Sequence, residues 1–394
     1  MDKDKRIETL KKLLSGKKYE EALTLAGKLT DEGSPEGEVA LAELYYDGKG
    51  VKKDEVEAFI HASRAAEKGN ADAEYLLGTL YMNDKDMMQD NDKALEMFQK
   101  AAEQGHALAC QRLGFLYLDG KIVPKDEEKA ETWFHKAARI YENGADENRD
   151  PEIYALGMMY LSGNGIRQDR QKAFGLFQKI AFRGEPYGQQ MVGLCFLRGW
   201  GTGKNPGKAA EWMRKAAENG DIKARNFMGS FYAFGTGVEQ DYKKAFEWYK
   251  KAADHGDSNG QTAVGQLYRA GRGVEKSIPK AIEWFKKAAE QGNPAALCHL
   301  GTLYLCDRAA GIDQKKGMEL LHKAAEKHYG GAARYLGDAY KLGVGVEKDE
   351  TKALEWYKKA LDWGDSQARK NLIELGYNGQ EVGSYLETLK HTVQ

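Results

Sequence analysis

The chain has 394 residues, of which 59 are basic and 60 acidic, a formal net charge of −1, with a mean hydropathy of −0.67. Charges that cancel this closely exclude a broad electrostatic nucleic-acid surface, and with no long apolar run the sequence excludes membrane insertion through a spanning helix. The length exceeds what one globular core ordinarily supports, a limit that repeats escape because each unit packs only on its neighbours.

The opening MDKDKRIETLKKLL lacks an apolar core of the kind a signal peptide needs, so a cytoplasmic protein is expected. Ile7, Leu10, Leu13 and Leu14 form one helical stripe, and Tyr19, Ala22, Leu23, Ala26 and Leu29 form a second. Residues 1–35 therefore read as an N-terminal capping helix pair.

Nine units follow over residues 36–365. Their reference positions are Ala42, Gly78, Gly114, Gly157, Gly193, Gly229, Gly265, Gly301 and Gly337, spaced by 36 residues except for 43 between Gly114 and Gly157. Three residues on stands an aromatic in every unit, from Tyr45 to Tyr340. Twelve on stand Asp54, Asp90, Asp126, Asp169, Asn205, Asp241, Ser277, Asp313 and Asp349, all good helix N-caps. Sixteen on, every residue is Ala except Gly317. In the sixth unit, Met228, Phe231 and Tyr232 share one helix face with Gly229, whose missing side chain admits close helix approach. Gly235 and Gly237 end that helix, Asp241 caps the next, and Ala245, Trp248, Tyr249, Ala252 and Ala253 form its apolar stripe up to the stop at Gly256. A short loop between two amphipathic helices makes them antiparallel neighbours, and one such hairpin cannot bury both stripes, so the units must stack. Residues 366–394 read as C-terminal capping helices, with the last helix over Glu381 to Lys390.

Three units depart from the pattern. The second has Asp84, Asp86, Met87 and Met88 in its loop, the third carries seven extra residues near Tyr141 to Asp150, and the eighth has Cys306 to Gly311 in place of the glycine loop. Cys298 and Cys306 lie on one helix ~12 Å apart along its axis, too far for a mutual disulfide or a shared tetrahedral zinc. Free thiols, a reducing compartment and no metal are the expectation.

Resemblances to catalytic motifs fail on their chemistry. Gly199 to Lys204 has Arg198 where a phosphate loop needs its first glycine, and Asn205 follows the lysine. Ser277-Ile278-Pro279-Lys280 and Ser15 to Lys18 fit S-x-x-K without the accompanying S-D-N or K-T-G. No nucleophile with an orienting partner emerges, so neither an enzyme nor a cofactor is expected.

The pattern ALxxLGxxYxxGxGVxxDxxKAxxWxxKAAxxG, matched by Gly265, Tyr268, Gly271, Gly273, Val274, Ala281, Trp284, Ala288, Ala289 and Gly292, resembles the Sel-one-like repeat (SLR) family, close relatives of tetratricopeptide repeats. The resemblance implies an all-α fold: a right-handed α/α superhelical solenoid of antiparallel helix pairs, open and curved. A secreted, cysteine-rich bacterial branch of the family carries one disulfide per repeat. This chain departs from it, because Ala102 stands eight residues before Cys110, where the partner cysteine belongs. Family members generally act as adaptors, so the resemblance implies an intracellular scaffold that binds a protein or peptide segment on its concave face. The alternatives are a hydrolase-type enzyme and a regulatory subunit of a neighbouring enzyme; oligomeric state stays open.

By the same resemblance, the concave positions lie at −3, −2, +1 and +4 from each reference residue. In units 2 to 4 they include Tyr75, Gln111, Arg112, Phe115, Tyr154 and Met158. In units 5 to 7 they include Gln190, Met191, Asn226, Phe227, Gln266 and Arg269. In unit 9 they are Arg334, Tyr335, Asp338 and Lys341. Tyr, Arg and Met are enriched at interfaces, and the basic end predicts preference for an acidic continuation of the partner.

Overall fold

The computed structural model describes residues 3–83, 90–147, 149–306 and 310–376, which hold twenty-one α-helices and no strand. Helices α1 (Lys3–Ser15) and α2 (Tyr19–Asp31) form the first pair. Nine hairpins follow: α3 (Pro35–Asp47) with α4 (Glu55–Ala66), α5 (Ala71–Asn83) with α6 (Asn91–Glu103), α7 (Ala107–Asp119) with α8 (Glu127–Asp146), α9 (Asp150–Ser162) with α10 (Arg170–Ala181), α11 (Pro186–Arg198) with α12 (Pro206–Glu218), α13 (Ile222–Phe234) with α14 (Tyr242–Asp254), α15 (Ser258–Ala270) with α16 (Ile278–Glu290), α17 (Pro294–Cys306) with α18 (Gln314–Ala325), and α19 (Gly330–Leu342) with α20 (Glu350–Asp362). A short α21 (Ala368–Glu374) packs on α20. The second unit's Asp84–Met88 loop segment, residues 307–309 and the helix expected over Glu381 to Lys390 lie outside the described residues.

The chain divides into two compact units, Met1–Ile180 with Trp200–Thr202, and Ala181–Gly199 with Gly203–Gln394. In each, every hairpin packs on the next in chain order, which makes each unit an α-solenoid of antiparallel helix pairs. In the first unit, Leu10, Ala22, Ala26 and Leu29 of α1 and α2 pack with Leu41 and Leu44 of α3.

The nine expected caps are all made. Asp241 shows how one motif closes a repeat. Its backbone N–H donates to the Tyr232 carbonyl at 2.9 Å, and its Oδ1 accepts from the N–H groups of Lys243 and Lys244 at 3.0 Å. Lys244 then lays its Nζ 3.4 Å from Asp241 Oδ2 and 5.5 Å from the centre of the Tyr232 ring. Those N–H groups, that of Lys244 first, hold the Asp241 carboxyl below its ordinary range. The aromatic at +3, the cap at +12 and the lysine at +15 are thus one device that fixes the second helix against the first.

Close approach at the reference glycine also has a specific partner. A Cβ on Gly265 would sit 2.6 Å from Cε1 of Phe285, and one on Gly337 would sit 2.5 Å from Cε1 of Tyr357. The partner stands twenty residues on in every hairpin. In the first, where the reference residue is Ala42, that position is Ala62, and both are fully buried. Gly317, the one exception at the +16 alanine, is explained the same way: a Cβ there would meet Cγ of Leu305 at 2.8 Å and the Gly301 carbonyl at 2.9 Å. The tryptophans one position earlier, such as Trp248 and Trp284, are half-buried rather than core, and Lys251 and Lys287 cover their outer faces at 4.3 and 4.5 Å.

Stacking between repeats uses the second loop glycine. Gly273 has φ +71° and lies so close to the start of α14 that a Cβ would come within 2.1 Å of the Tyr242 carbonyl oxygen. Only glycine fits there, for reasons of backbone and of space together. The seven extra residues of the third repeat do not form a loop. They lengthen α8 to 20 residues, and Tyr141, Gly144 and Ala145 bury its inner side.

Candidate partner-binding face

The first helix of each hairpin buries its −5, −4, −1, 0 and +2 positions, with few exceptions; among the described residues +5 is always exposed, while −6 and +1 range from exposed to half-buried and Thr302 at +1 is buried. The expected site residues fall into three groups on this pattern. Met191 is core, 5% exposed.

A second group bridges consecutive first helices. Asn226 donates from Nδ2 to Asp257 Oδ1 at 2.6 Å, and Arg334 donates from Nε to Asp365 Oδ2 at 2.9 Å. Tyr75 stacks on His106 with ring centres 4.7 Å apart. In each case the −3 residue meets the residue that precedes the next first helix, 31 positions on. Asp257 and His106 cap those helices, accepting from the N–H groups of Gly260 and Ala109. The sequence reading missed this cap, because it has no fixed residue type: Asn70, His106, Asp221, Asp257 and Asn293 all make it. Other expected contacts are claimed within their own hairpin or by a neighbouring first helix. Gln111 Oε1 accepts from the Tyr141 hydroxyl at 3.4 Å, and Arg112 lies 3.6 Å from Met82 Sδ. Gln266 Nε2 meets His299 Nε2 at 2.6 Å. Asp338 accepts from the Tyr357 hydroxyl at 2.8 Å and from Asn371 at 2.9 Å.

The basic end is neutralised within the fold. Lys341 pairs with Glu374 at 2.8 Å, and Arg334 faces Asp365 and Asp338 while stacking on Tyr335 at 4.3 Å. Tyr335 in turn packs half-buried against the α17 to α19 core. Of the three cations expected to draw an acidic segment, two are thus already paired, and Arg269 is half-buried.

The third group stays open and lies in the first unit. Phe115 is 43% exposed and meets Phe134 edge-on at 5.0 Å, and Met158 is 36% exposed. Leu108 and Leu118, at −6 and +4 of the same repeat as Phe115, are 49% and 40% exposed. Tyr154 is half-buried beside Phe177. In the second unit Gln190 and Phe227 are half-buried, the latter 6.3 Å from Phe231. Trp200, in the loop after α11, is half-buried.

The thiols divide sharply. Cys110, Cys195 and Cys298 are buried and free, and desolvation pushes Cys195 and Cys298 up to about 12, while Cys306 is exposed. Burial pushes His299 down to about 4, so its ring is neutral near pH 7, and its Nδ1 has no partner. Among the described residues no three His, Cys, Asp or Glu side chains converge as a metal site requires, and no helix is long and apolar enough to cross a membrane.

The Sel1 repeat model matches nine segments, 35–70, 71–106, 107–142, 153–182, 186–221, 222–257, 258–293, 294–329 and 331–365. Among solved structures the chain is similar to a protective antigen present in uropathogenic Escherichia coli strains that displays an SLR fold: 30% identity, covering 95% of this chain and 80% of that one, with a TM-score of 0.53. It is also similar to a Sel1 repeat protein from Oxalobacter formigenes, at 28% identity over 80% of this chain and 90% of that one, with a TM-score of 0.52. No match is found among curated proteins.

Proposed function

The chain belongs to the Sel1 repeat family, and from that premise we propose that it is a non-catalytic adaptor that holds a protein or peptide segment along the outward ridge of its first helices. The observation that carries this reading is the run of large apolar side chains that stay exposed on the first helices and that stacking on the next repeat does not cover. Leu108, Phe115, Leu118 and Met158 are exposed, whereas Gln266 and Asp338, at +1 in the second unit, are tied to the next repeat. Apolar surface of this kind is stabilised by a partner that covers it. The cytoplasm is the compartment in which it acts, in keeping with three buried free thiols.

The test is affinity capture of the full chain from its native lysate, with quantitative mass spectrometry, beside a Phe115→Ser/Met158→Ser variant. A stoichiometric protein retained by the parent chain and lost from the variant, with melting temperature unchanged, supports the reading. Recovery of the chain alone, together with turnover on a substrate panel, replaces it by an enzyme.

A further inference from the structure

We propose that the first unit carries a receptor for a lysine or arginine side chain beside an apolar shelf, so that the bound segment presents a basic residue together with aliphatic or aromatic ones. This rests on the peptide-binding reading above and names the chemistry of the partner. The opposite preference, for an acidic segment, is what the sequence alone favoured.

A cavity of 180 Å³ lies among α1, α3 and α5. Its apolar wall comes from Ile7, Leu10 and Leu14 on α1 and from Val39 and Ala40 on α3. Its polar side holds three carboxylates, Glu36, Glu43 and Asp72, against the single ammonium of Lys11. A small volume that is apolar on one side and anionic on the other suits a side chain with an aliphatic stem and a cationic head.

The three carboxylates are not equally engaged. Glu36 accepts from the Ser34 hydroxyl, which with other contacts lowers its carboxyl, and Asp72 faces His106 Nε2 at 3.3 Å. Glu43 has neither kind of partner among the described residues. Glu43 is exposed at the rim of the cavity; partial desolvation there raises its carboxyl, and the nearby charges of Asp72 and Asp47 raise it further against Lys49. A cation entering here reverses that repulsion, and a second anion worsens it.

The shelf continues from the same ridge. Glu36 and Asp72 stand at −6 and Glu43 at +1; the third and fourth repeats place Leu108 at −6 and Phe115 and Met158 at +1, all exposed. Charge and apolarity are therefore segregated along one line of the first unit, acidic in its first two repeats and apolar in the next two.

The probe is a phage-displayed library of random dodecapeptides selected on the full-length chain, followed by a synthetic peptide of the enriched consensus in fluorescence anisotropy. The expected consensus contains Lys or Arg together with Leu, Phe or similar residues. Glu43→Gln should weaken the synthetic peptide tenfold or more with an unchanged melting curve. Replacing the peptide's basic residue by Ala should cost the same, and the two losses should not add. Glu43→Lys should abolish binding of that peptide. A consensus without a basic residue, or affinity indifferent to Glu43→Gln, overturns this site and leaves peptide binding elsewhere on the chain standing. A library with no enrichment over the display background overturns both.

Discussion

Gly265→Ala tests whether each hairpin is set by a glycine and a ring. The added Cβ would lie 2.6, 2.8 and 3.1 Å from Cε1, Cδ1 and Cζ of Phe285. Phe285 is fully buried and leans on His299 at 5.3 Å between ring centres, so it cannot swing away into solvent. Overpacking by one methyl in such a place costs about 1–3 kcal/mol. Alanine recovers about 1 kcal/mol of helix propensity, so the net loss should be about 0–2 kcal/mol. Phe285→Ala alone should cost about 3–5 kcal/mol through its cavity. With the ring gone the clash goes too, and Gly265→Ala should then stabilise by about 1 kcal/mol. The difference between the two backgrounds amounts to a coupling of about 1–3 kcal/mol in a double-mutant cycle, the overpacking cost itself. Ala42 with Ala62 is the same double substitution already present in the first repeat. The assay is denaturant unfolding of the four proteins followed by circular dichroism, with m-values compared to detect loss of cooperativity between repeats. If Gly265→Ala costs the same in both backgrounds, the glycine is not there for the ring.

Ser277→Ala removes one cap bond and should cost about 1 kcal/mol. Asn293→Ala removes the cap on Ala296 together with bonds to Ser258 at 3.2 Å and Asn259 at 3.0 Å in the preceding repeat, and should cost about 2 kcal/mol; equal melting shifts would show that the cross-repeat bonds contribute nothing. Gly256→Ala has positive φ but open space around it, and should cost about 1–2 kcal/mol, whereas Gly273→Ala, blocked by the Tyr242 carbonyl, should cost about 3 kcal/mol or more. The reverse order in thermal melts would remove the loop from the stacking contact. His299 titrates at about 4 folded against about 6.5 unfolded, so between those values the unfolded chain binds more protons. Its contribution is complete above pH 6.5 and falls, by on the order of 3 kcal/mol, as the pH drops toward 4. Stability curves of the parent and His299→Gln should accordingly converge on acidification across that window, and parallel curves would refute the assignment.

The parts of this fold that were legible in the sequence are those closed within a few residues. An N-cap and the helix it serves are adjacent, so Asp241 could be placed from its position before Ala245 and Trp248. The reference glycine was also visible as a close contact, but its partner was not. Nothing local distinguishes Phe285, which fills the space left by Gly265, from Trp284, which lies half-exposed under Lys287. The candidate site suffered most. Asn226, Arg334 and Tyr75 look variable and unassigned when one repeat is laid on the next, yet each is held by a residue of the following repeat. That partner belongs to a different copy of the pattern, and it changes type from copy to copy with the residue it meets.

The consequence concerns where specificity can reside. A −3 residue and the residue before the next first helix form a unit: Asn226 with Asp257, Arg334 with Asp365, Tyr75 with His106. Changing one member alone leaves its partner without its match, so these positions are coupled to stacking. In the first unit Asp72 at −6 is itself tied to His106, but the exposed +1 positions carry no such obligation. Glu43, Phe115 and Met158 can change without disturbing a neighbouring repeat, and they are therefore the positions at which a partner can be read. Tyr154→Ala separates the two roles, since Tyr154 is half-buried at a −3 position beside Phe177. Its loss should lower the melting temperature by several degrees and weaken the captured partner only modestly. Phe115→Ser should do the opposite. Were Tyr154→Ala to abolish capture at unchanged stability, the −3 row would belong to the binding surface after all, and the division between stacking and recognition drawn from the second unit would not hold in the first.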